Sequence, residues 1–565
     1  MEGKDLRDHI LHRWGALKTE REPYVPQWIE ISKHITPASG RFFQSTMKNQ
    51  GRDRWNRIYD NTATYASTIL SSGLQSGMND PATQWFALTT GTPELDESHA
   101  VKVYLDQCQR ILEMAFERTN TYQSLHHGWR EVGVYGICAM IVVEDPVNGF
   151  HCYPLVCGEY CIGVDARNRP NTLYRRFSMT AEQLIAEYGR DKVSRAVSDA
   201  YDKGQRDRLF KCIHAIEPRE VRDRNAKDNK NMPWRMVVLQ IDCDEGKDGI
   251  LDESGYNEFP AVVGRWGANA TDVYSEESPG IVAIGDTKQL QHECLQKGNA
   301  IDYAVDPPLI LPTSAQHQAL DFLPGGRNFI DMATNANIVQ SAWSVRPDIQ
   351  ALAADMQEVK QRIFQAFYVD MFLMISQATK HQMTAEEVAR RNEEKLMLLG
   401  PVLSRFNNEV LKSLIERVFN ILSRAGQMPM PPQELRGQTL QVRYMSMLSR
   451  AQHSLRANSL DQFLTRVGQI AQFKPEVISK LDPFQVVDEY ADYYSVSPSV
   501  VVPTEQAKKE IEAQQQAQAQ QAQAEQQAQA ADSLSKLGRV PSDNSTMAGA
   551  LVQGLAQAQQ GSQEA

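Results

Sequence analysis

Long apolar runs are missing from these 565 residues. No stretch of about 18 consecutive apolar residues occurs, so no membrane-spanning helix is expected. The opening MEGKDLRDHILHRW lacks the apolar centre of a secretory leader, which points to a cytosolic chain. A surplus of positive charge is missing too: 59 lysines and arginines stand against 70 aspartates and glutamates, a net charge of −11. Phosphate binding draws on lysine and arginine, so no general affinity for nucleic acid follows. Any contact with DNA has to be local.

Catalytic and metal-binding signatures are equally scarce. Among the eight cysteines, Cys152, Cys157 and Cys161 cluster, yet there is no C-x-x-C pair and no second pair at zinc-ligand spacing. They read as reduced thiols in strands. The run from Asp242 to Glu253 starts like a calcium loop, but Lys247 stands where the sharp turn needs glycine, so an acidic turn between strands is the reading. There is no Walker loop, no G-x-G-x-x-G, no G-x-S-x-G and no H-E-x-x-H. No cofactor, no metal and no enzymatic activity are expected.

What is present begins as mixed α and β. Residues 4–34 carry Leu6, Ile10, Leu11, Trp14, Leu17, Trp28, Ile29 and Ile31 among charges, predicting helices broken at Pro23 and Pro26. From Arg41 to Arg57, five basic residues against one acidic make a modest patch. Asn61-Thr62-Ala63-Thr64 predicts the cap of a helix through Ala66, Ile69, Leu70 and Leu74, ending before Asn79-Asp80-Pro81. Helices over 101–118 and 122–136 follow, then strands at 138–144, 150–155, 160–164 and 172–178. Thr180-Ala181-Glu182-Gln183 fits a capping box that opens a short helix. Strands resume at 210–217 and 235–241, with 219–230 a solvated loop.

After Tyr274 long helices dominate. Ser278-Pro279 supplies a cap and a first-turn proline for a helix of about 25 residues that reaches Val305. Pro307-Pro308 ends it, and helix returns over 348–371. The 306–347 insert is rich in proline, glycine and asparagine, with short apolar runs at 309–311 and 322–323. Two rods bracketing such an insert suit a hairpin with a docking head at its tip better than a compact enzyme. A capping box at Thr384-Ala385-Glu386-Glu387 then opens about 40 helix-compatible residues, roughly 60 Å at full length. Its apolar face is Leu396, Leu399, Leu403, Phe406, Val410, Leu414, Val418, Phe419 and Leu422; Gly400-Pro401 should kink it, and Gly426 and Pro429 stop it. A strand near 440–444 and helices at 446–472 and 483–494 follow, in a locally basic stretch with six arginines against two acidic residues from Arg424 to Arg466. Residues 505–531 are almost wholly glutamine and alanine, compatible with a helix in a bundle of copies or with disorder.

Several stretches, taken in order, resemble one family. They are Arg21-Glu22-Pro23 with Trp28, Tyr59-Asp60-Asn61-Thr62-Ala63, and Leu74-Gln75-Ser76-Gly77-Met78-Asn79-Asp80-Pro81 running on to Trp85-Phe86. Later come Phe259-Pro260 through Arg265-Trp266, then Tyr274 through Gly280, Met383-Thr384-Ala385-Glu386-Glu387-Val388, and Leu399-Gly400-Pro401-Val402-Leu403-Ser404-Arg405. Each is weak alone. Their joint order, over roughly Asp5 to Val502, resembles the head-to-tail connector, or portal, proteins of short-tailed phages.

The resemblance implies an α+β, mainly helical subunit that assembles as a ring of about twelve copies around a central DNA channel at one capsid vertex. Mapped here, residues 1–277 would be the wing, 278–305 and 348–371 the stem helices, 306–347 the clip and 372–383 the tunnel loop. Residues 384–425 would be the long kinked helix, 426–500 the crown, and 501–565 a C-terminal barrel helix or a disordered tail. Implied partners are further copies of the chain, terminase, a tail adaptor, a major capsid or scaffolding protein, and double-stranded DNA in passage. The place is the virion, after assembly in the host cytoplasm. In the clip, Leu309, Phe322 and Trp343 are the candidate partner contacts, against a buried structural hairpin. In the tunnel loop, Lys380 is the candidate phosphate contact, with Gln377 and His381 as weaker hydrogen-bonding neighbours. The alternative there is that 372–375 continue the stem core and the polar half is a surface loop. The competing reading of the whole is another virion structural or scaffolding protein without a DNA channel.

Overall fold

Alternate residues of single strands reach different helices, and this organises the largest sheet. A computed structural model describes residues 3–39, 58–96, 98–226, 228–244, 248–269, 271–305, 309–310, 340–341, 348–377, 399–435, 441–444, 447–493, 500–502 and 504–537. Strands β4 (Tyr160–Val164), β5 (Pro170–Thr180), β6 (Leu209–Pro218), β7 (Trp234–Gln240) and β8 (Ile250–Tyr256) follow one another antiparallel in a five-stranded sheet. On β6, Ile213 and Ala215 join Leu6, Ile10 and Leu17 of helix α1 (Gly3–Arg21). Phe210 and Cys212 point the other way, to Leu184, Val197 and Ala200 of two short helices, α6 (Ala181–Tyr188) and α7 (Arg195–Asp202). The side-chain period of two sorts the residues between the two layers.

The main core lies around helix α5 (Thr121–Tyr135), which packs on α3 (Thr62–Met78) and on the three-stranded antiparallel sheet β3-β2-β9. In that sheet β2 (Ile137–Asp145) lies between β3 (Gly149–Leu155) and β9 (Ala261–Arg265), and six successive β2 residues are buried. Gly136 ends α5 with φ +82, a left-handed conformation that favours glycine, and its carbonyl accepts from Trp266 N. Helix α4 (His99–Arg118) flanks this core and packs on β1 (Phe86–Thr89).

Most expected elements form within two residues of their predicted ends. The Thr180 capping box is present in full, and Ser278 Oγ accepts from Ile281 N with Pro279 in the first turn. Four expectations need correction. Pro26 does not break a helix but starts one, α2 (Val25–His34), because proline lacks only an N–H that the first turn would leave free. Asn61 makes no side-chain cap for α3; Asp60 Oδ1 accepts from Thr62 N at 2.8 Å instead. The helix over 195–202 and strand β9 were not foreseen, and the strand expected after the acidic turn is β8. The second rod does not run unbroken over 348–371: it stops at Ala366, Tyr368 takes φ 56, and a new helix spans Val369–Gln377.

The chain divides into two compact units, Met1–Leu455 and Arg456–Ala565. Within the first, β12 (Gln441–Tyr444) pairs antiparallel with β1, so the chain after the long helix returns to the N-terminal body. The second holds most of helix Met447–Ala471, then Pro483–Tyr493 and the glutamine/alanine stretch as the 34-residue helix Thr504–Leu537, whose described side chains are nearly all exposed. There, Tyr490 donates to the Asp461 carboxylate and Lys508 lies over the Phe484 ring at 5.4 Å.

Candidate channel and docking elements

The two rods are helix α8 (Ile284–Val305) and helix α9 (Ile349–Ala366), and polar contacts tie them side by side. Arg362 of α9 donates through Nε to Asp286 at 3.0 Å and through Nη2 to Gln289 at 3.3 Å, both on α8. A third element braces them. Gln291 Oε1 accepts from the N–H groups of Tyr59 and Asp60 at 2.6 and 3.0 Å, and Lys360 pairs with Asp60 at 2.8 Å. Burial pushes the Asp60 carboxyl up, but bonds from Lys360 and Thr62 outweigh it and hold the group below its ordinary range. At the N-terminal half of α8, Lys288 reaches Glu30 of α2 at 3.1 Å, beside Lys33 at 2.9 Å. Hydrogen bonds from Lys33 and Lys288 lower the Glu30 carboxyl to about 2.

Beyond the rods, β10 (Leu309–Ile310) pairs with β11 (Gln340–Ser341), Leu309 opposite Ser341. The two ends of the insert therefore meet. Of the clip candidates, Leu309 lies on this ladder, while Phe322 and Trp343 lie outside the described residues.

Of the segment expected as a tunnel loop, residues 372–377 belong instead to helix α10 (Val369–Gln377), with Gln377 its last residue. Phe372 lies so close to α3 that a Cβ on Gly73 would run into its ring. Phe372 and Leu373 are partly buried against the main core, which fits the alternative weighed from sequence for these two residues. Lys380, His381 and the capping box at Thr384 lie outside the described residues.

The long helix is described from 399 to 424. Leu399, Phe406, Val410, Leu414, Val418 and Leu422 are buried, the face expected from sequence. Gly400 and Pro401 sit in its first described turn, so the expected kink, which needs the helix before 399, lies outside the described residues; within them, a π-helical turn spans Asn407–Leu411. Helix α11 (Lys412–Arg424) then ends in a paired cap: Gly426 N bonds Ser423 O and Gln427 N bonds Leu422 O, with Gly426 at φ +69.

The stretches behind the family resemblance turn out to be joints of the first unit. Arg21 Nη1 donates to the carbonyls of Gly158 and Tyr160. Trp28 Nε1 donates to Tyr135 O, and Asn79 accepts from Trp129 Nε1 at 2.8 Å in a fully buried site. Ser278 both caps its helix and donates to Val134 O. Sequence reasoning missed the residues that fix the long helix: Arg265 with Glu409, and Arg417 with Glu258. The available signal was a charge inside an apolar run, Arg265 after Val262-Val263-Gly264 and Arg417 between Leu414 and Val418.

Among the described residues, no three His, Cys, Asp or Glu side chains are grouped to hold a metal ion, and no helix is long and apolar enough to cross a membrane. All eight cysteines are free thiols.

The family model described as bacteriophage head to tail connecting protein matches residues 7–502. The chain is 43% identical over 537 residues to a protein of Bordetella phage BPP-1 named "Probable portal protein", covering 94% of this chain and 96% of that one. It is 38% identical over 502 residues to the "Portal protein" of Salmonella phage epsilon15, covering 89% and 90%. With this identity and coverage, the chain belongs to the bacteriophage head-to-tail connecting protein family.

Proposed function

We propose that the protein is a phage portal, a ring of about twelve copies around a channel through which DNA enters and leaves the capsid. The observation that carries the architecture is the pair of rods α8 and α9, tied by Arg362 and Asp286, with the insert between them closing on itself at β10–β11. In this reading residues 1–277 form the wing, the rods the stem, 306–347 the clip, the segment from the end of helix α10 to 383 the tunnel loop, 384–425 the long helix, 426–500 the crown and 501–565 a C-terminal barrel helix or a disordered tail. The role is structural, and motion of DNA is driven by a terminase docked on the clip. A tail adaptor takes the same place afterwards, and capsid or scaffolding protein contacts the wing.

The acidic balance supports this reading. DNA sliding lengthwise must be guided without being gripped, because each phosphate contact adds salt-dependent affinity. One lysine per subunit, Lys380, would give a sparse positive ring whose contacts are individually weak and screened. Lys380→Glu should leave assembly intact and lower the DNA packaged or retained; packaging equal to wild type would refute the role of this loop. Replacing 313–328 by a short Gly/Ser linker should leave rings intact and abolish adaptor binding, and unchanged binding would refute the clip.

A further inference from the structure

The π-turn at Asn407–Leu411 holds one residue more than an α-helix needs, and its two flanks are both fixed. Upstream, Phe406 is buried between Trp129 at 5.2 Å and Trp266 at 5.8 Å. Downstream, Leu414 and Ile415 are buried. Relaxing to a plain α-helix with the same residues would rotate one flank by about 100°, carrying one of these faces into water. The extra residue is therefore absorbed locally, in a form that is rare and recurs where a side chain must be re-aimed.

What the turn aims is Glu409. Its carboxylate accepts from Arg265 N at 3.1 Å and from Arg265 Nη2 at 2.7 Å, with Nε at 3.4 Å. Arg265 is 3% exposed and Glu409 16%. The same guanidinium donates to Asn168 Oδ1 at 2.9 Å and Asn168 O at 2.8 Å, and Asn168 holds φ 57 in the β4–β5 turn. Two more contacts seat the turn. Tyr444 Oη donates to Asn407 O at 2.8 Å, the carbonyl that also accepts the π-type bond from Lys412 N. Val410 lies so close to β9 that a Cβ on Gly264 would collide with it.

We propose that Glu409 and Arg265 are the positioning pair for which the extra residue is kept. The π-turn brings Glu409 across to Arg265, and the pair pins the long helix in one register on the β3-β2-β9 sheet and on the β4–β5 turn. This rests on the fold alone and stands or falls independently of the channel.

The test is a cycle of four full-length proteins followed by thermal unfolding: wild type, Glu409→Ala, deletion of the exposed Asn408, and both together. Deleting Asn408 converts the turn to α-helix with both flanks in place, so in the wild-type background it loses the pair and lowers the unfolding temperature by roughly 2–4 °C or more. In the Glu409→Ala background there is no pair left to lose, so the same deletion should be neutral or raise the unfolding temperature. A double variant as low as the two single losses combined would overturn the proposal. Should the deletion fail to fold, amide exchange on Glu409→Ala decides. The proposal requires exchange at 265 and 409–412 to accelerate at least about tenfold more than at 414–422, and equal acceleration along the helix refutes it.

Discussion

Glu30 lies between Lys33 and Lys288, and this local arrangement makes one contact of α2 with α8 sensitive to acid. Its carboxyl is lowered from 4.5 to about 2 by hydrogen bonds from the two lysines. A depressed carboxyl adds stability above its unfolded value and loses it as pH falls, so the contact should weaken between about pH 4.5 and 2. Lys288→Ala should reproduce at neutral pH the loss of amide protection, relative to the intrinsic exchange rate, that acid produces in 25–34; no change in that segment would contradict the contact. His214 behaves in the same direction for another reason. Burial, and then the charge of Arg175, push its imidazole down from 6.5 to about 3, while Arg175 Nε donates to its Nδ1 at 3.3 Å. The unfolded chain takes up this proton first, so stability should fall steadily below about pH 6.5, and His214→Phe should flatten that slope in urea titrations. Arg417 is a buried cation, 2% exposed, paired with Glu258 and lying over the Tyr256 ring. Glu258 keeps Arg424 at 3.0 Å when Arg417 is removed. Arg417→Met should therefore be close to neutral in urea unfolding, while Arg417→Ala, which also leaves a cavity, should lose about 3 kcal/mol.

Helix α3 and helix α10 meet at a glycine, and that contact sets where the chain leaves the second rod. Gly73→Ala should destabilise by about 1–3 kcal/mol because its methyl would overlap the Phe372 ring, and adding Phe372→Leu should restore most of the loss in denaturant unfolding. The same junction marks the limit of what the sequence discloses. Period-two strands, the Thr180 and Ser278 caps and the apolar face from Leu399 to Leu422 were readable because each signal lies within a few residues. The break at Tyr368 was not, since neither glycine nor proline marks it. It is held by packing, with Tyr368 stacked on Trp266 at 6.4 Å and Phe367 and Val369 buried. Asp60 as the cap of α3 was missed because Asn61 satisfies the same local rule. The Arg265–Glu409 pair spans 144 positions and the β1–β12 pairing more, so no local pattern announces either. Edge protection is similarly distant: Asn120 presents its amide to both N and O of Cys152 on β3, and Pro154 follows on the same strand.

At the scale of the whole molecule, family membership and architecture lead to one expectation. A single chain leaves Ile301 and Val305 of α8 exposed, with Phe463, Ile470 and Phe473 exposed in the second unit. A 34-residue helix of small and polar side chains has little reason to persist alone in water, and its alanines allow close approach of identical helices. Closed cyclic assembly covers such faces with complementary faces of neighbouring copies. The measurement that tests this most directly is electron microscopy of the purified full-length protein, with mass by light scattering on the same sample. The account predicts rings with a central hole and a mass of roughly 0.8 MDa, about twelve copies of the 63.7 kDa chain. A sharp monomer at 63.7 kDa and micromolar concentration, or filaments and sheets without a hole, would contradict it.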